Sequence, residues 1–413
     1  MNTSYTRLKL ACYATNVTMS VVTNLSPLLF VTFHTLYGVS YTLLGLLVLV
    51  NFFTQLLVDL AFSFFSHRFN IPLAVRLTPV VAFVGLLTYA LWPIFFPSQV
   101  YLGLIVGTVI FASSGGLAEV LISPVIAAIP SENPDREMSK LHSVYAWGVV
   151  GFVLFGTFFL LAFKQESWHL LVAFLSLIPL VGLLLYAGTP IPKMQTPERA
   201  SGVLKMLKNP SLLLCVFAIF LGGAAECTMA QWSSSYLEQA LGIPKVIGDV
   251  FGVALFSVAL GLGRSLYAKR GKYIGRVLLL GAIGATACYF IAAVSPFPLL
   301  GLLACAFTGF CTSMLWPGSL IVSSDRFPDG GVVIFAMMAA GGDCGAAVVP
   351  QLVGIVTDGV AANPAFLNFA EMLSLSPEQF GMKVGMLVGM LFPLTAIAVY
   401  TRIRRTEKQK LEK

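Results

Sequence analysis

Charge is scarce in this chain. Asp, Glu, Lys and Arg make up 10% of its 413 residues, against 57% hydrophobic residues. Soluble domains carry about 25% charged residues, so this composition excludes a water-soluble globule and makes the bilayer the solvent. Reactive cysteine chemistry is missing too. Cys12, Cys215, Cys227, Cys288, Cys305, Cys311 and Cys344 all lie in apolar stretches without metal-ligand spacing, so neither a disulfide nor a metal site is expected and they read as small packing residues. No nucleophile–base pair or phosphate loop occurs at recognisable spacing, which argues against an enzyme and against a bound cofactor. The formal charge of +7 comes from short loops and a tail beside apolar runs, not from a basic domain, so no nucleic-acid partner is expected. The N-terminus lacks a small-residue cleavage site after a short apolar core, and its first apolar run is expected to remain as a span.

What the chain has in abundance is long apolar runs. A spanning helix needs about 20 apolar residues, and the runs 8–34, 39–65, 72–93, 99–130, 139–163, 168–188, 211–237, 246–267, 275–296, 298–323, 331–357 and 380–402 meet this. Counted as twelve alternating crossings, they put all but three of the 25 Lys and Arg residues on one side, leaving Lys164, Lys245 and Lys383 opposite. A Lys/Arg excess in short loops marks the cytoplasmic face, so both termini are expected inside. The reading is an all-α membrane protein, a monomer in a bacterial-type inner membrane. Its twelve transmembrane helices form two pseudo-symmetric six-helix bundles, 1–188 and 211–413, joined by the polar linker 189–210.

The two halves share local features. Tyr37-Gly38-Val39-Ser40 precedes the second crossing and Leu241-Gly242-Ile243-Pro244 the eighth; His67-Arg68 and Lys269-Arg270 follow them. The fourth and tenth crossings each place a glycine eight residues before a proline, Gly116 with Pro124 and Gly309 with Pro317, and each leads to a Pro-Asp pair, Pro134-Asp135 and Pro328-Asp329. On these features the chain resembles the major facilitator superfamily, whose loop signature after the second crossing is degenerate here, with Ser63, His67, Arg68 and Asn70 at its positions. A narrower likeness is to the fucose permease branch of sugar–proton symporters and its sodium–glucose relatives. Gly116-Leu117-Ala118-Glu119 with Pro124 is similar to that branch's fourth helix, and Leu141-His142-Ser143-Val144-Tyr145 with Gly148 to its fifth. Gly309 to Pro317 with Met314 and Trp316 is similar to its tenth, and Gly345-Ala346-Ala347 with Pro350 and Gly354 to its eleventh. The resemblance implies a midplane site opened alternately to each side by two rocking bundles. The chain departs from the fucose permease pattern in its first crossing, which offers Asn16, Asn24 and Ser26 in place of an acid.

An ionisable group at the membrane centre costs on the order of 2.5–3.5 kcal/mol and so asks for a partner, a proton or a wet cavity. Four carboxylates qualify, Asp59, Glu119, Glu226 and Asp343, against one comparably embedded base, Arg264. Removal from water favours the neutral form of a carboxyl, which makes Glu119 and Glu226 the candidate proton carriers. Glu119 has an alternative as a structural carboxyl bonded to Ser113 or Ser123, and Glu226 as a ligand for a substrate hydroxyl or sodium. Asn51, Gln55 and Asp59 recur every fourth residue on one helix face and are assigned to an inter-bundle gate with Arg264, His142 and Asp343. Asp343 sits among Gly341, Gly342 and Gly345, where room for water is expected.

Sugar recognition needs flat aromatic surfaces and fixed amides or carboxylates. Glu226, Gln231, Trp232 and Tyr236 fall within about three turns of one helix, and Trp316, Tyr145 and Asn24 complete the candidate substrate contacts. Tyr145 enters the fifth crossing with His142 and Trp147. Pro27, Pro124, Pro317 and Pro350 are expected bending points. With four acids against one base the interior reads as negative, which disfavours an anionic substrate. Proton-coupled uptake of a neutral sugar or polyol by alternating access is therefore expected. A multidrug or cationic-solute exporter, a sodium-driven symporter and a transport-derived sensor remain as alternatives. Asn363-Pro364 in the segment 358–379 reads as the start of a short helix.

Overall fold

The computed structural model describes residues 3–65, 68–130, 134–192, 209–270, 273–327 and 331–411. Among the described residues there is helix and no strand. Helix is the form in which a single segment satisfies its own backbone in lipid. In chain order the helices are α1 (Thr3–Leu28), α2 (Phe30–Tyr37), α3 (Tyr41–Phe65), α4 (Ile71–Phe95), α5 (Val100–Ala128), α6 (Pro134–Phe163), α7 (Trp168–Leu175) and α8 (Leu177–Tyr186). There follow α9 (Pro210–Gln239), α10 (Leu255–Arg270), α11 (Ile274–Val294), α12 (Pro298–Thr312), α13 (Leu315–Arg326), α14 (Gly331–Ala361), α15 (Pro364–Met372) and α16 (Pro377–Leu411). Eleven spans are long and apolar enough to cross a membrane, or twelve when α1 and α2, bent by 41°, count as one. The contact pattern divides the chain into two compact units, Met1–Val39 with Val50–Ala200 and Ser40–Leu49 with Ser201–Lys413. The opening turns of α3 thus group with the later helices. Most of the linker, 193–208, and the pair Pro328-Asp329 lie outside the described residues.

Helix starts follow from Asn-Pro and Asn-x-Pro sequences. The side chains of Asn70, Asn209 and Asn363 accept from backbone N–H groups at the openings of α4, α9 and α15, with proline in the first or second helical position. A side-chain acceptor there satisfies otherwise orphaned donors, and proline lacks a donor to orphan. The short helix expected after Asn363 is present as α15. Of the four expected bending prolines, Pro27 lies two residues before the α1–α2 break, and Pro317 lies just after the α12–α13 break. Pro124 and Pro350 sit inside continuous helices. A further break at Ser176, before Pro179, was not anticipated.

Each unit is pinned by the same device. In the first, Tyr89 shares a hydrogen bond with Ser26 at 3.0 Å, and Thr15 donates to Tyr186 at 3.2 Å. In the second, Tyr289 donates to the Ala225 carbonyl at 2.9 Å and Tyr400 to that of Ala218 at 3.0 Å. Tyrosines from the third and sixth crossings of each half therefore reach the first crossing of that half, all four rings being buried. A buried phenol needs a partner for its hydroxyl, and these bonds fix helix rotation as well as distance.

The basic residues of the loops also have structural work. Arg7 donates to the carbonyls of Leu184 and Leu185 at the end of α8, and Arg326 to that of Ile403. Lys9 is buried and pairs with Glu137 at 3.0 Å, while Lys140 reaches the same carboxylate at 3.1 Å. Hydrogen bonds from Lys9 and then Lys140 hold the Glu137 carboxyl below its ordinary 4.5. A lowered folded value contributes stability that is complete above the ordinary value and lost as pH falls through the lowered one. The thermal midpoint of the purified protein is therefore expected to fall below about pH 4.5, with a smaller step in Glu137→Gln; identical acid profiles for the two would remove this role.

Candidate functional site

In the first unit the stripe on α3 meets α5 at its paired glycines. A Cβ on Gly115 would lie 3.0 Å from the Gln55 side chain, and one on Gly116 would lie 2.9 Å from the Gln55 carbonyl and 3.1 Å from Asp59 Oδ1. Only hydrogen at these positions lets the two backbones approach so closely. The pairings advance in the same direction along both helices. Asp59 and Glu119, each four residues or about 6 Å beyond Gln55 and Gly115, therefore stand at one level. Asn51 and Gln55 are buried, and Asn51 Oδ1 and Gln55 Nε2 have no hydrogen-bond partner among the described residues. A buried polar atom without a partner is costly, and such atoms concentrate where something else binds.

Glu119 is exposed, and it makes no hydrogen bond or ion pair among the described residues. Its exposure is not towards lipid. Leu102, Val109 and Pro124 form the exposed apolar row of α5, and Glu119 lies roughly 100° around the helix from them, among the buried Ala112, Gly115, Gly116, Ile122 and Ile126. Ser113, one of its expected structural partners, donates to the Val109 carbonyl instead.

In the second unit Glu226 and Arg264, assigned separately from the sequence, form one ion pair. Arg264 Nη2 lies 3.0 and 3.4 Å from the two carboxylate oxygens, and its Nε donates to the Ser313 carbonyl at 3.1 Å. That carbonyl is available because its helical partner would be the nitrogen of Pro317, which carries no hydrogen. The α12–α13 break thus supplies an acceptor that holds the guanidinium in place. Trp316 packs against Gly223 and Gly342 through its six-membered ring: a Cβ on Gly342 would lie 2.5 Å from the ring, and one on Gly223 would lie 2.9 Å from it. Asp343, the next residue, is buried.

Two expectations need correction. Glu226 is neutralised by Arg264 and does not count towards a negative interior. Arg264 is not the only embedded base, because Lys9 is buried and Lys245 lies largely buried against Asp249 at 3.2 Å. The Cβ positions of Gly341, Gly342 and Gly345 are taken up by Val216, Trp316 and the Phe220 carbonyl. Asp249 itself was missed. It is fully buried, accepts from Ser234, and lies in a π-helical turn, Gly248–Ala254, preceded by the single turn Lys245–Ile247. The i, i+4 spacing of Lys245 and Asp249 was the one available signal.

The other candidate contacts are dispersed. Trp232 is buried and donates to the Pro350 carbonyl at 2.9 Å, with the Tyr41 ring centroid 6.2 Å away. Tyr236 is buried and donates to the Ala292 carbonyl at 2.6 Å. Gln231 is buried nearby, its Oε1 without a partner among the described residues. Asn24 donates to the Ser20 carbonyl of its own helix at 2.9 Å, and Tyr145 is half-buried on α6. The side chain of His142 lies outside those described.

A family model, the Major Facilitator Superfamily, matches residues 11–350. The chain belongs to the major facilitator superfamily. It is thus a multi-pass membrane transporter that works by alternating access, not an enzyme. Solved structures of similar fold include a D-xylose–proton symporter, 16% identical over 95% of this chain and 97% of that one, with TM-score 0.71. A bacterial homologue of the human lysosomal transporter Spinster is 13% identical over 98% and 97%, with TM-score 0.70. A nucleoside transporter is 13% identical over 96% and 99%, with TM-score 0.69. At these identities the likeness is one of fold. No curated protein sequence matches the chain, and none of these facilitator structures singles out the fucose permease branch.

Proposed function

We propose that this facilitator carries a small neutral polar solute, a sugar in the first instance, inward across a bacterial-type cytoplasmic membrane together with a proton, as a monomer with both termini inside. The observation that carries the reading is the α3–α5 face. Glu119 is exposed there without a cation among the described residues, and the buried amides of Asn51 and Gln55 hold atoms with nothing to bond. Amides and carboxyls without internal partners are what hydroxyl groups require, and Glu119, with the Asp59 carboxyl at its level, is positioned to take up the proton. The motif likeness to fucose permeases and the fold likeness to a xylose–proton symporter support the same reading.

In this scheme Glu119 is the proton carrier, and Glu226 is relieved of that duty by Arg264, with which it tunes the second unit. Protonated Glu119 permits the loaded carrier to reorient, and loss of the proton inside weakens solute binding. No observation favours sodium as the coupling ion.

The test uses purified protein in proteoliposomes with an imposed inward pH gradient, offered labelled sugars, polyols and nucleosides. Gradient-driven accumulation of a neutral sugar is expected, abolished by Glu119→Gln, while that variant keeps sugar exchange at zero gradient. Full accumulation by Glu119→Gln overturns the proton assignment. Exchange of nucleosides but of no sugar overturns the solute assignment alone.

A further inference from the structure

The first unit carries an apolar groove of about 780 Å³ on a face unconnected with the α3–α5 site. Tyr13, Val17 and Val21 of α1 form its floor, α6 one wall, and Phe174, Leu175 and Ile178 of α7 and α8 the other. One of its two lining glycines leaves it open. A Cβ on Gly148 would press on Ser20 and Val17 of α1, whereas one on Gly151 would meet nothing within 4 Å, so that position is simply vacant space in the wall. Lys140, Ser143, Trp147, Gly151 and Phe155 form one exposed row along α6. Beyond Ser143 that row is apolar, and the Trp147 indole is 69% exposed at the groove's edge. Exposed apolar residues on a spanning helix face acyl chains.

One end of the groove is charged. Lys140 lines it with 49% of its side chain exposed, and its ammonium shares the Glu137 carboxylate with Lys9. Among the described residues, two ammonium groups on one carboxylate leave an excess positive charge, and Lys140 is the accessible one. The Tyr13 hydroxyl, 3.5 Å from Glu137, stands at the same end. A long apolar slot whose mouth, among the described residues, carries two ammonium groups against one carboxylate is complementary to a molecule built as a chain with an anionic head. Its volume lies within the roughly 300–1,000 Å³ typical of sites that take a ligand.

We propose that this groove is a binding site for one anionic phospholipid, an acyl chain lying over Val17, Val21 and Gly151 and the phosphate at Lys140. Trp147 beside the slot then reports occupancy directly. The full-length protein is placed in nanodiscs of a zwitterionic phosphatidylcholine containing a minor fraction of phosphatidylglycerol brominated on its acyl chains. The same fraction of brominated phosphatidylcholine serves as the reference, and the signal of Trp147 is obtained by subtracting that of Trp147→Phe.

Brominated phosphatidylglycerol is expected to quench Trp147 several-fold beyond the brominated phosphatidylcholine reference. Lys140→Gln is expected to bring the two lipids to parity, and Gly151→Leu to reduce the excess by filling the slot. Equal quenching by both lipids in the unaltered protein means annular contact only and overturns the proposal, as does an excess that survives Lys140→Gln. Should Gly151→Leu misfold, the surface substitution Lys140→Gln decides alone. Loss of sugar transport by Glu119→Gln leaves this result untouched, since the two sites share no residue.

Discussion

Arg264→Gln is expected to abolish net transport and to lower stability by about 1–3 kcal/mol. The side chain of Glu226 is only 14% exposed, so removing its partner leaves a nearly buried carboxylate without a counter-charge. Breaking a fully buried pair costs about 3–5 kcal/mol; here the arginine is 44% exposed, and solvent screening reduces the figure. The Ser313 carbonyl loses its donor in the same step, because Pro317 has none to offer. The double variant Glu226→Gln with Arg264→Gln is expected to recover most of the thermal midpoint, read by tryptophan fluorescence in detergent, without recovering transport. Additive losses in the two single variants would show that the pair is not coupled.

Gly345→Ala carries the second large effect, a destabilisation of about 3 kcal/mol or more. Its new methyl would lie against the Phe220 carbonyl and 2.9 Å from the Ala224 nitrogen, both in the backbone of α9. Backbone cannot turn aside as a side-chain tip can, so α9 and α14 must separate along their length. Gly359, on the same helix, has nothing within 4 Å of its Cβ position. Gly359→Ala is therefore expected to be neutral or to stabilise by up to about 1 kcal/mol through helix propensity. The two midpoints side by side measure helix contact against propensity; equal shifts would show that the α9–α14 approach is looser than described.

Particular residues show why some of this was readable in advance. The Asn-Pro starts of α9 and α15 are local, because the cap and the N–H donors it accepts from lie within three residues. The stripe Asn51, Gln55 and Asp59 was legible as a face, since four-residue spacing keeps side chains in line, yet nothing in α3 pointed to Gly115 and Gly116 as its neighbours. Glu226 and Arg264 were each recognised as embedded charges, but their pairing spans 38 positions and depends on the rotation of two helices. Asp249 escaped notice because its burial arises from a π turn that winds the start of the eighth crossing differently from an ideal helix.

By itself the sequence determined the crossings, the all-helical class and the duplicated plan, because hydropathy and loop charge are sums over neighbouring residues and need no knowledge of packing. Only the tertiary structure decided which embedded groups neutralise one another, which glycines are filled by a neighbour, and which carboxyl is left open. Each helix presents a new direction every 100° or so per residue, and that azimuth is fixed by distant contacts: a tyrosine reaching the first crossing, a proline releasing a carbonyl, a backbone admitted by a missing Cβ.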